Sequence, residues 1–97
     1  MKINSKVLTP FIGYMKSKKF SIKENKGNLI LNKGRKLAVI YYQDEDFIEV
    51  DKYCYQNYMS FLHQWLNDGN LFINKMWKFG AMIIHRLRGK NYIECLK

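Results

Sequence analysis

At 97 residues the chain is long enough for one domain with a single core and too short for two. Its 47% hydrophobic and 15% aromatic content exclude a disordered chain, and no apolar run approaches the roughly 18 residues that would cross a bilayer. The formal charge of +9 falls in three blocks, +9 over residues 1–36, −5 over 37–70 and +5 over 71–97, which points to a surface that attracts polyanions.

Residues 1–8 read as an extended lead-in. Thr9 followed by Pro10 signals a helix start, because Thr caps and proline suits the first helical position, where its missing N–H costs nothing. The spacing predicts a short helix over about residues 9–18, with Phe11, Tyr14, Met15 and the methylene stem of Lys18 on one face. Gly13 weakens that helix by about 1 kcal/mol relative to alanine. Lys16, Lys18 and Lys19 crowd its end, where positive charge complements the helix dipole.

Strand signals follow. Phe20 to Glu24 alternate apolar with polar, Leu29-Ile30-Leu31 is apolar, Leu37 to Tyr42 is rich in β-branched and aromatic residues, and Phe47 to Val50 closes the run. Between them stand Asn25-Lys26-Gly27-Asn28, Asn32-Lys33-Gly34-Arg35 and Asp44-Glu45-Asp46, the first two being turns in which Asn and Gly accept positive φ. Four antiparallel strands in a meander are expected, at about 20–25, 28–32, 36–43 and 47–50.

Asp51 is placed to cap a second helix. Cys54, Tyr58, Phe61, Leu62, Trp65 and Leu66 recur at helical spacing, with Phe61, Leu62 and Trp65 expected to be buried at the centre of the stripe, and Asn67-Asp68-Gly69 ends it. A third helix follows, with Phe72, Met76, Phe79, Ile83 and Leu87 on one face, widened by Ile73, Trp77 and Ile84 and interrupted by Gly80. It runs through about residue 88, and a short strand over 91–96 closes the chain; a hairpin of Ala81–Leu87 with Asn91–Leu96 is the alternative. The expected fold is one α+β domain spanning 1–97: a short N-terminal helix, a four-stranded antiparallel meander and two C-terminal helices packed on one sheet face.

Catalytic and metal signals are weak. His63 and His85 are the only histidines and lie 22 residues apart, whereas a ribonuclease needs a general acid and base in one site. The acidic run Asp44, Glu45, Asp46, Glu49 and Asp51 lacks the glycine and downstream glutamate of a calcium loop, so a solvated turn is expected and neither metal nor cofactor is assigned. Cys54 and Cys95 have no companions at zinc spacing and read as reduced thiols of a cytoplasmic protein. The layout of helix, three strands and helix resembles that of small ribonuclease toxins of the HicA type and of double-stranded RNA-binding domains. The first would carry Gly-Ser-His where this chain has Lys26-Gly27-Asn28, and the second a Lys-Lys-x-Ala-Lys run where it has Asp51-Lys52-Tyr53-Cys54-Tyr55. The resemblance is one of topology, which does not assign function.

The basic residues carry the remaining signal. Lys23, Lys26, Lys33, Arg35 and Lys36 flank strands and turns, with Phe20, Tyr41 and Tyr42 nearby, a combination that suits single-stranded nucleic acid. Arg86 and Arg88, with Lys75, Lys78 and Lys90, form a second cationic cluster. Lysine outnumbers arginine 14 to 3, which disfavours sequence-specific reading of bases and suits the A/T-rich codons of a phage or mobile element. The expected protein is a non-enzymatic binder of nucleic acid, RNA or DNA, or of a nucleic-acid–protein complex, through a Lys-rich sheet surface. A phage-type, anti-CRISPR-like inhibitor that docks on a host nuclease and a small ribonuclease toxin are the alternatives.

Overall fold

Both glycine turns form, and the signs of their backbone angles show how. Lys26 and Gly27 have φ of 51° and 88°, the double positive pattern of a type I′ hairpin, whereas Gly34 alone is positive, at 61°, as at the first position of a type II′ turn. A computed structural model describes residues 1–42 and 45–88, the side chains of Tyr42 and Arg88 excepted. The turns join β2 (Ser21–Asn25), β3 (Asn28–Lys33) and β4 (Lys36–Tyr42), and β5 (Phe47–Val50) continues the meander.

The four expected strands are therefore present, and a fifth joins them. Lys2–Asn4 forms β1, which pairs antiparallel with β5, so the sheet runs β1-β5-β4-β3-β2. Residues 1–8 are thus not only a lead-in. A three-residue strand with one apolar side chain, Ile3, is too short for alternation to reveal it, and its partner lies 45 residues downstream. The Met1 ammonium donates to the Val50 carbonyl at 3.0 Å and lies 3.7 Å from the Glu49 carboxylate. A single 3-10 turn, Ser5–Val7, then leads into α1 (Leu8–Ser17).

Strand register sorts the side chains into two faces. Ile3, Leu29, Leu31, Ala38, Ile40, Ile48 and Val50 are buried and belong to one core with the helices. The opposite face is open: Ile30 and Val39 are half-buried, and Leu37, Tyr41 and Phe47 are exposed.

All helices lie on the core side. The second helical element, α2 (Lys52–Arg88), begins at the expected cap, where the Cys54 N–H donates to Asp51 Oδ1 at 2.7 Å. Gly69, at φ 73° and ψ −152°, is non-helical and turns the chain between a first helical arm of 52–68 and a second of 70–88, so the two expected C-terminal helices follow one another directly, with a kink in place of a loop. The expected stop at Asn67-Asp68-Gly69 falls at that break. The expected closing strand over 91–96 lies outside the described residues.

α1 is buried around its whole circumference from Leu8 to Met15, so the rest of the domain encloses it. Phe11 packs edge-on against Tyr58 and Phe61, and Tyr14 against Phe61 and Phe72, which brings both arms of α2 onto α1. The crossing is closest at two glycines. A Cβ on Gly80 would collide with the Thr9 carbonyl oxygen and lie 2.7 Å from its carbon; one on Gly13 would collide with the Met76 carbonyl oxygen and lie 2.8 Å from Gly80 N. Backbone meets backbone there.

This seam corrects two expectations. The buried line of the second arm runs through Ile73, Met76, Gly80 and Ile84, so Gly80 is its centre and not an interruption. On the first arm Phe61 is buried, but Leu62 and Trp65 are only half-buried and Leu66 is 85% exposed. The aromatic contacts of α1 reach the arm as far as Phe61, and the arm then projects beyond them to the Gly69 apex.

No helix among the described residues is long and apolar enough to cross a membrane.

Candidate nucleic-acid interface

Ser21 lies opposite Asn32, and Lys33 opposite Lys36. The start of β2, the end of β3 and the start of β4 therefore share one end of the sheet. α1 delivers the chain to that same end. Lys16, Lys18, Lys19, Lys33, Arg35 and Lys36 are all exposed there and form a cationic rim.

Local structure holds this rim at some cost. The Lys19 N–H donates to the Lys16 carbonyl at 2.9 Å and the Phe20 N–H to the Met15 carbonyl at 3.2 Å, the paired bonds of a Schellman closure. Its left-handed position, at φ 74°, is filled by Lys19. Glycine normally stands there, because a side chain in that conformation costs about 1–2 kcal/mol. Lys33 and Lys36 face each other directly across the strands, an arrangement that like charges disfavour. Two rings carry cations: Lys18 Nζ lies 5.4 Å from the Tyr14 centroid, and Lys33 Nζ 5.9 Å from that of Phe20.

The expected sheet patch is divided by this geometry. Lys33, Arg35 and Lys36 come together on the rim. Lys23 stands mid-strand on the open face, in the row of Ile30 and Val39. Lys26 occupies the opposite turn, about 17 Å away over the length of β3. That far end also carries Glu45 and Asp46, so cations and acids mix there. Arg86 is exposed on the second arm of α2, and the side chain of Arg88 lies outside the described residues.

Sequence reasoning missed the contribution of Lys16, Lys18 and Lys19. The triplet was visible, but its fit to the helix dipole accounted for it fully. Nothing local says that the end of α1 meets the β3–β4 turn. The second cationic cluster reaches the same region through Lys75, which lines one notch with Lys18.

The histidines do not come together. His63 lies about 9 Å before Gly69 along its arm and His85 about 24 Å after it, so at least about 15 Å separates them along the helices. Both are exposed. Cys54 is buried, and burial, with a smaller push from the Asp51 carboxylate, raises its thiol to about 12. Among the described residues no three His, Cys, Asp or Glu side chains group as metal ligands. In comparisons with known protein families, curated proteins and solved structures, nothing matches this chain.

Proposed function

We propose that the protein is a non-enzymatic binder of nucleic acid, free or complexed with protein, and that the cationic rim is its contact surface. One observation carries this reading: six cations from α1, the α1–β2 turn and the β3–β4 hairpin converge on one end of the sheet. Lys19 in its left-handed position and the facing Lys33 and Lys36 are unfavourable for folding, and a polyanion relieves the repulsion between the facing cations. Phosphate contacts of this kind position a strand without reading its sequence.

The test is a titration of labelled single- and double-stranded RNA and DNA at two salt concentrations. Full engagement of the rim gives a log–log salt slope near about −4 for a single strand. The reversal Lys19→Glu/Arg35→Glu/Lys36→Glu removes three of the six contacts and at least halves the slope, while the thermal midpoint does not fall, because Lys36→Glu also replaces the repulsion across from Lys33 with an attraction. Failure of all four ligands to bind at low salt overturns the reading.

A second reading, a phage-type inhibitor that docks on a host nuclease, draws on the apex of α2. Leu66 and Leu71 flank Gly69 there and are 85% and 86% exposed. Exposed leucines beside a half-buried Trp65 suit a protein contact better than a phosphate backbone.

A further inference from the structure

The end of α1 and the break in α2 enclose a notch of about 450 Å³, within the size range of small-ligand sites. Its walls differ in chemistry. Lys18 and Lys75 supply positive charge, Asp68 supplies a carboxylate, and the half-buried Phe72 supplies an aromatic ring, held edge-to-face at 6.2 Å by Tyr14, which is itself buried under the Lys18 ammonium. Gln64 Nε2 donates to Asp68 Oδ2 at 3.2 Å and so steadies the carboxylate. Among the described residues neither Lys18 nor Lys75 forms an ion pair with Asp68. Opposite charges thus line one open site without pairing.

A ligand for this notch needs three parts: an anionic group for the lysines, a flat ring for Phe72, and N–H donors for the carboxylate. An ionised carboxylate only accepts hydrogen bonds, and its two oxygens best match two adjacent donors. Among the common bases, guanine alone presents two neighbouring N–H donors, N1 and N2, on its Watson–Crick edge. Adenine and cytosine offer one amino group there, and uracil one imide N–H. We infer that the notch takes a single guanine nucleotide, at the end of a strand or turned out of it, with its base toward Asp68 and its phosphate toward Lys18 and Lys75. The inference rests on the reading of the rim as a nucleic-acid surface, since Lys16 and Lys19 carry the phosphate path onward from Lys18. The carboxylate also fixes orientation, because it repels phosphate from its own side of the site.

Isothermal titration with GMP, AMP, CMP and UMP at low salt tests this directly. GMP is expected to bind at least about tenfold tighter than the others, the fold-change of one charge-assisted hydrogen bond. Inosine monophosphate lacks the N2 amino group and should lose about that factor without any change to the protein. Asp68→Asn should erase the preference for GMP while keeping phosphate-driven binding, and Lys18→Glu/Lys75→Glu should abolish binding of all four. Equal binding of the four nucleotides, or of GMP and inosine monophosphate, overturns the inference. If no mononucleotide binds but oligonucleotides bind with a steep salt slope, the notch inference fails and the rim reading stands. If neither class binds, both fail.

Discussion

Two stretches of α1, three residues apart, face opposite demands. From Thr9 to Gly13 the helix is buried, and its backbone touches that of α2 with no room for a methyl group. From Lys16 to the turn at Lys19 it is exposed, crowded with like charge and finished in a conformation that lysine disfavours. The seam spends every atom on stability, whereas the rim gives stability up. Variants at the seam should therefore unfold the domain without altering what it binds, and variants at the rim should do the reverse.

The largest effect is expected at Phe61. It contacts Phe11 and Tyr14 at 5.8 and 5.5 Å and is fully buried, so Phe61→Ala should cost about 3–5 kcal/mol in a denaturant titration. Trp65, one turn further and half-buried, should cost clearly less despite its larger side chain. Equal losses at the two positions would move the edge of the seam out to Trp65.

Gly80→Ala comes next. Helix propensity alone favours the alanine by about 1 kcal/mol, but the clash with the Thr9 carbonyl forces the helices apart. A net loss of about 2–3 kcal/mol is expected, lowering the thermal midpoint by roughly 10–20 °C. A midpoint that rises would show that propensity wins and that the crossing is looser than described.

Alkaline pH probes the same packing. Burial raises the Cys54 thiol to about 12 from an ordinary value of 9.0, and raises the Tyr14 and Tyr58 phenols as well. The unfolded chain therefore releases the Cys54 proton first. Stability from this group is complete below about pH 9 and is lost as pH climbs toward about 12. A Cys54→Ala variant should show a flatter decline over that window, measured by urea midpoints at several pH values.

The smallest effect carries the opposite sign. Lys19→Gly should raise stability by about 1 kcal/mol, because glycine accepts the left-handed position at no steric cost. It should also weaken oligonucleotide binding by one phosphate contact, seen as a salt slope shallower by a little under 1. Gain in stability with unchanged binding would remove Lys19 from the interface.

Much of the fold was legible because its signals are local. The Asn-x-Gly turns, the apolar runs of β3 and β4 and the Asp51 cap each lie within a few residues of what they specify. The seam was not legible: Gly13 and Gly80 look like flaws in their own helices, and only the crossing of two distant segments explains them. The candidate site divides in the same way. Lys33, Arg35 and Lys36 belong to one hairpin and were read together, but their meeting with Lys16, Lys18 and Lys19 depends on where α1 ends over the sheet. Lys26 was grouped with them because sequence distance resembles spatial distance only until a strand reverses.

The pairing of β1 with β5 has a consequence for the order in which the sheet assembles. β2 to β5 join neighbour to neighbour through short connections, which close within microseconds, whereas β1 must return across the whole meander to reach its place. Until it arrives, β5 is the sheet's border, with Phe47, Ile48 and Val50 beside an unpaired ladder that another nascent chain can extend. Glu45, Asp46 and Glu49 lie along that border, in the acidic block of an otherwise basic protein. Like charge on two such borders keeps them apart, so the acidic block acts as a gatekeeper for the strand that waits longest for its partner.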